Sequence, residues 1–247
     1  MTHDWWPDEF RVLFTLGEST AAGGWSSCRE RCWAQQLARL INEFQRVPVQ
    51  LVNVGIGANV ISPRSPAYEF SGKPAASERL EQHVLDYHAN GQHLVPDLLV
   101  VSYGINDARC GTPAGLFCDE LTDIIRRVRE RIQPLIVLLG PYYMTDFQLG
   151  GPEWHHGSPQ VFDAYNEATR ALAERLDCLF VDLLAAHGNA DWTVHHDGVH
   201  ANDLGHRIVA NEVFRVLASN CSGLALETRE LEELIIPWRD ESTLQNA

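Results

Sequence analysis

The sequence predicts an α/β protein built on a five-stranded parallel sheet with helices on both faces. Three observations carry this. Short β-rich runs alternate with helix-spaced stretches along the chain. The runs DLLVVSY (97–103) and LIVLLG (135–140) are continuously apolar, as strands buried on both faces are. The chain has 247 residues, 45% of them hydrophobic and 21% charged, which is enough to bury the core of one large domain.

Taken in order, RVLFTL (11–16) is the first strand and runs into Gly17. A Gly-rich polar stretch leads to a helix over 29–46, where Leu37, Leu40, Ile41 and Phe44 fall at helical spacing and Pro48 marks the end. VQLVNVGI (49–56) is the second strand, and a polar loop with three prolines covers 62–74. Ser77 is placed to cap a helix over 78–90, with Gly91 as its terminator. The third strand is 97–103, a helix covers 117–132, and the fourth strand is 135–140. An aromatic and His-rich loop spans 142–159, followed by an amphipathic helix over 160–176 and a fifth strand, CLFVDL (178–183). The last long helix covers 203–218. Residues 1–221 are expected to form a single domain, and 222–247 a helical tail packed on it or extending from it, with LETRELEELI as its helix and a frayed end. The pair Trp5-Trp6 serves either as an interface or as cover for the domain.

Charge narrows the partners. The formal net charge is −14, from 33 acidic and 19 basic residues, with no basic stripe to reverse it locally. Such a surface repels phosphates and anionic lipid, so neither nucleic acid nor a membrane is expected as a partner. The N-terminal MTHDWWPDEF lacks a basic segment followed by an apolar one, and no apolar run reaches the length of a membrane span, which predicts a cytoplasmic protein. The six cysteines, at 28, 32, 110, 118, 178 and 221, are irregularly spaced and read as free thiols; no second Cys or His pair completes a zinc pattern around Cys28 and Cys32.

In sheets of this kind ligands bind beyond the carboxyl ends of the strands. The polar residues there are Gly17-Glu18-Ser19-Thr20, Asn53 to Asn59, Gly104-Ile105-Asn106-Asp107 and the late Asp197-Gly198-Val199-His200. Ser19, at a strand-to-helix turn, becomes a nucleophile if a base takes its proton; alone it also fits a turn or cap serine. His200 with Asp197 three residues earlier can supply that base and its orienter, because a carboxylate holds an imidazole in one tautomer and stabilises its cation. The pair equally fits an exposed loop turning at Gly198. Asn106 can donate a side-chain amide to an oxyanion, and glycine at 57 allows close backbone approach to a reacting carbonyl. Together these residues supply nucleophile, base, orienter and oxyanion donors on one sheet edge, the set that acyl transfer through a serine requires.

The order Gly-x-Ser near the N-terminus, Asn-x-Gly-x-Gly, Gly-x-Asn-Asp and a late Asp-x-x-His resembles the SGNH hydrolases, also called GDSL esterases and lipases. The resemblance spans about residues 11–217 and is most specific in VVSYGIND and DGVHANDLGH. It implies a flavodoxin-like three-layer α/β/α sandwich that needs no metal and no cofactor. It further implies Ser19 as nucleophile, Asp197 and His200 as the rest of a triad, and an oxyanion hole from the Ser19 amide, the Asn106 side chain and the Gly57 amide. Two departures stand out. Glu18 replaces the family's usual Asp before the serine. The oxyanion glycine falls on Ala58 when counted from Asn53 without a gap, and on Gly57 when one residue is dropped; Gly57 is the expectation.

The implied activity is hydrolysis of a carboxylic ester, with a short O-acetyl ester of a carbohydrate or small metabolite as the expected substrate. Acyl transfer or thioester cleavage would use the same residues. Tyr142, Tyr143, Phe147, Trp154 and also Trp25 either line a substrate pocket or pack their loops. Two other classes compete. A metal-dependent hydrolase would use the cluster His195, His196, Asp197 and His200, but Gly198 interrupts it and no HExxH pattern exists. A binding module would use the same fold without chemistry.

Overall fold

The computed structural model describes residues 3–234. Its main sheet contains β1 (Val12–Gly17), β2 (Gln50–Asn53), β3 (Leu98–Ser102), β4 (Leu135–Leu139) and β5 (Leu179–Val181). They lie in the order β2-β1-β3-β4-β5, all parallel. Leu13 pairs with Leu51 on one side and Leu98 on the other, and Gly17 pairs with Ser102. This is the flavodoxin-like order, and it reverses direction between β1 and β3. β3 and β4 carry almost entirely buried side chains, as their apolar runs require.

Six helices matter for the site: α1 (Ser19–Ala22), α2 (Trp33–Asn42), α3 (Ile105–Arg109), α4 (Ala114–Arg131), α5 (Pro159–Arg175) and α6 (Asp203–Asn220). α2 packs on α6, and α4 on α5. Right-handed crossovers leaving β1 in opposite directions place these two pairs on opposite faces of the sheet. Among the described residues, no helix is long and apolar enough to cross a membrane. All six cysteines are unpaired thiols.

Several elements differ from expectation. The helix expected over 29–46 is a short 3-10 turn, Arg29–Arg31, followed by α2, which stops at Asn42. Phe44 therefore leaves the helical stripe and lies half-exposed against Phe214. The helix expected over 78–90 is Ala76–Leu80, continued by one wide turn, Glu81–Leu85. Ser77 does not cap it; Glu78 reaches back to accept from the Ala75 N–H at 2.8 Å. Gly91 does not end a helix either. Asn90 and Gly91, both at positive φ, turn a small antiparallel hairpin that pairs His88 with His93. Residues 105–109 and Leu183–His187 are helical where no helix was expected. In the tail, Leu226–Leu231 is helical, and the expected frayed end over 235–247 lies outside the described residues. Trp5 and Trp6 cover the domain: Trp6 stacks on Phe10, and the Trp5 N–H donates to Asn220.

Candidate active site

β1 and β3 are the strands between which the sheet changes direction, and Ser19 and Asn106 sit just past their ends. Gly17 makes the junction possible. A Cβ there would lie 2.6 Å from Ala21 Cβ and 2.7 Å from the Ser102 carbonyl oxygen. The chain then turns directly into α1, whose first residue is Ser19. A first helical residue has no acceptor within its own helix, so the Ser19 N–H is free to face a ligand.

The segment 195–200 folds into a tight turn, closed by the His195 N–H to the His200 carbonyl at 2.7 Å and the Gly198 N–H to the His195 carbonyl at 2.9 Å. It presents two side chains together. His200 Nδ1 lies 2.7 Å from Asp197 Oδ2, and His200 Nε2 lies 3.0 Å from Ser19 Oγ. The other Asp197 oxygen accepts from the Val199 N–H at 2.9 Å and the His200 N–H at 3.0 Å. Burial works against this carboxylate, yet those two N–H groups and the His200 ring bring it down to about 2. Asp197 is thus ionised at neutral pH, which fixes the Nδ1–H tautomer and leaves Nε2 to accept from the serine. Burial also lowers the His200 imidazole below the usual histidine range, against the pull of Asp197.

Asn106 is the second residue of α3, and its side-chain amide donates to the Asn59 carbonyl at 3.0 Å, which leaves a second N–H available. Glu18 explains how this helix is held. Its carboxyl accepts from the Gly104 N–H at 3.0 Å and from the Asn106 N–H at 3.2 Å. Burial, then the charge of Asp107, push the Glu18 carboxyl well above the usual range. The longer side chain in place of the usual Asp therefore ties β1 to the start of α3. Asp107 points the other way, into the protein, where it accepts from Ile61 N–H at 2.9 Å, Ser65 Oγ at 2.6 Å and Thr112 Oγ1 at 2.9 Å. Burial raises its carboxyl to about 6.

A pocket of about 260 Å³ opens beside these groups, lined among others by Ser19, Gly57, Ala58, Asn106 and His200. Gly57 faces the serine: a Cβ there would lie 3.7 Å from Ser19 Cβ. Ala58 also lines the pocket, in the left-handed region at φ 53°. The structure brings Ser19, Gly57, Asn106, Asp197 and His200 to one place. The rings of His195 and His196 lie close together at a tilt, centroids 3.9 Å apart, beside the segment 197–200, and His195 Nδ1 accepts the Asp197 N–H at 3.3 Å. Among the described residues, no three His, Cys, Asp or Glu side chains converge as metal ligands.

Three contributors escape sequence reasoning or stay ambiguous in it. Trp25 lays its ring flat on His200, with centroids 3.4 Å apart and planes 4° from parallel. It does so from a left-handed backbone, φ 67°, a conformation unusual for a bulky residue. The turn is held by Gly24, whose N–H donates to the Ser19 carbonyl at 2.9 Å and whose carbonyl lies 3.1 Å from His206 Nε2. Arg109 and Lys73 also line the pocket. Arg109 had a signal: it lies three residues after Asn106 on one short helix and so shares its face. In the loop 142–159, Tyr142 is buried and shares a hydrogen bond with Thr20, Phe147 packs edge-on against Phe162, and Tyr143 bonds to Asp191. Packing accounts for Tyr142, whereas Tyr143 and Phe147 line a separate cavity of about 450 Å³, and Trp154 both packs and lines the pocket beside Ser19.

A hydroxyl, an imidazole and a carboxylate joined in series at the switch point of a doubly wound sheet are the groups that acyl transfer through a serine requires. The chain belongs to the GDSL-like lipase/acylhydrolase family, which it matches over residues 15–208. No protein of curated function matches the sequence. Solved structures share the fold at low identity. The acetylxylan esterase of Geobacillus stearothermophilus is 19% identical, with a TM-score of 0.60 over 85% of this chain and 95% of its own. TesA is 19% identical, with a TM-score of 0.63 over 85% and 99%. The lipase/acylhydrolase of Enterococcus faecalis is 18% identical, with a TM-score of 0.63 over 85% and 96%.

Proposed function

We propose that the protein hydrolyses a short-chain, O-acetyl type ester of a carbohydrate or small metabolite through an acyl-enzyme on Ser19. The observation that carries this reading is the unbroken chain from Ser19 Oγ through His200 to Asp197, opening on a pocket of about 260 Å³. That volume lies at the small end of ligand pockets and suits an acetyl group better than a fatty acyl chain. One structural neighbour is named an acetylxylan esterase, in keeping with a carbohydrate ester.

In this mechanism His200 Nε2 takes the Ser19 proton as Oγ attacks the ester carbonyl. The Ser19 and Gly57 amides and the free N–H of Asn106 donate to the oxyanion. His200 then protonates the leaving alcohol. Water attacks the acyl-enzyme with the same histidine as base, and the acid departs. Asp197 stays ionised throughout and stabilises the imidazolium.

The test is hydrolysis of p-nitrophenyl acetate and p-nitrophenyl octanoate by the wild type and by Ser19→Ala. The acetate should be preferred, and Ser19→Ala should lower kcat by about four to six orders of magnitude. Activity that survives Ser19→Ala would remove Ser19 as nucleophile; a preference for octanoate would replace the acetylesterase reading with a lipase.

A further inference from the structure

Among the described residues two arginines are buried, and they are treated very differently. Arg79 is 3% exposed and its guanidinium is fully occupied. It donates to the carbonyls of Gly17 and Val54, to Asn59 Oδ1 and to Tyr103 Oη, and it lies 3.1 Å from His83 Nδ1. Arg109 is 5% exposed, yet the Leu149 carbonyl is the one hydrogen-bond acceptor it meets among the described residues. Its Nε is buried without any partner. No carboxylate forms an ion pair with it among the described residues, and the Trp154 ring lies 5.9 Å from the guanidinium carbon. Burial holds its basicity below the usual arginine value.

A guanidinium carries five N–H donors, and leaving them unmet away from water is costly. Arg79 shows how this chain satisfies such a group when its purpose is structural. Arg109 instead lines the pocket that holds Ser19, Asn106 and His200. Lys73 stands at the same pocket, with Nζ 2.6 Å from the Gly57 carbonyl and no ion pair among the described residues. Two unpaired cations at one small pocket oppose the net charge of −14 carried by the whole chain. The acids around the serine act on Arg109 only at longer range: Asp197 is engaged by His200, Glu18 is raised toward its neutral form by burial, and Asp146 makes no ion pair with it among the described residues.

We propose that Arg109, with Lys73, receives an anionic group of the substrate, so that the ester this enzyme cleaves carries a carboxylate on its alcohol portion. The planar fork of arginine matches a carboxylate, and such charge-assisted bonds are the strong ones. The Asn106–Arg109 spacing then sets the substrate's orientation: one residue of α3 faces the scissile carbonyl, and the residue one turn later holds the anion. This proposal rests on the serine-esterase reading for the position of the scissile bond.

The experiment compares 4-acetoxybenzoate with its methyl ester as substrates of the wild type and of Arg109→Gln. It also measures calorimetric binding of the uncleaved isosteres, 4-acetamidobenzoate and its methyl ester, to the wild type. The wild type should bind the carboxylate isostere at least about ten-fold more tightly than its ester, the scale of one charge-assisted hydrogen bond. In Arg109→Gln the ratio of kcat/KM for the two substrates should fall by about ten-fold, mostly through KM, and Arg109→Lys should restore part of it. Equal or weaker binding of the carboxylate isostere overturns the proposal, and so does an unchanged ratio in Arg109→Gln. The binding arm needs no turnover, so loss of the serine reading, seen as hydrolysis surviving in Ser19→Ala, registers separately.

Discussion

The segments 104–112 and 195–200 each hold one aspartate beside a residue of the site, and the two acids meet opposite fates. Asp107 is fully buried, receives bonds from Ile61, Ser65 and Thr112, and is raised to about 6. Asp197 sits behind an imidazole, accepts two backbone N–H groups and is held at about 2. The same side chain locks a loop in one place and orients a base in the other. What separates the roles is whether its partner can carry a charge of its own.

Asn substitution at each position gives the sharpest contrast. Asp197→Asn should lower kcat by about four orders of magnitude, because the amide favours the wrong imidazole tautomer, while the lost charged contacts cost a few degrees of Tm. Steady-state kinetics beside a melting curve decides this. Asp107→Asn should leave the rate largely intact. It weakens the clamp on 61–65 and costs about 1–3 kcal/mol, a fall in Tm of several degrees, with a far smaller loss of rate. If the effects were exchanged, the division of labour between the two acids would be wrong.

Covering the base has a smaller effect. Trp25→Ala should lower kcat/KM by about ten-fold, since the stacked ring positions the imidazole. Because burial is the main cause of the low His200 basicity, the variant should also move the acid limb of the pH–rate profile upward. In the wild type that limb should lie below the ordinary 6.5 of histidine.

The smallest expected effect is on stability against pH. The Asp107 carboxyl rises from its ordinary 3.8 to about 6 in the fold, so its contribution is full below 3.8 and is lost as pH climbs through about 6. Asp197 is lowered instead, so its contribution is present above 3.8 and is lost as pH falls toward about 2. Melting curves between about pH 4 and about pH 7 should show a loss in the wild type that Asp107→Asn flattens.

The strands were legible because β3 and β4 are uninterrupted apolar runs, a pattern that burial on both faces demands. The serine, the amide and the Asp-His pair were legible because each follows a strand or opens a helix with short, motif-like spacing. What stayed hidden depended on the order of strands. Glu18 reaches Gly104 and Asn106 because β1 lies beside β3, an adjacency the sequence does not record. Arg109 looks like any helical arginine until burial and the lack of acceptors set it apart. The hairpin at Asn90-Gly91 was misread because a glycine after a polar helical stretch and a glycine in a two-residue turn look alike without the pairing of His88 and His93.

His206 is wholly buried on the first turns of α6, with Nδ1 accepting from the Trp33 N–H at 3.3 Å and Nε2 placed to donate to the Gly24 carbonyl at 3.1 Å. The turn that carries Trp25 is thereby anchored to the helix that begins three residues after His200. Imidazole and indole share one mooring. The Gly24 N–H also donates to the Ser19 carbonyl at 2.9 Å, so one short turn ties the nucleophile's backbone, the indole and the helix that follows the base into a single connected unit.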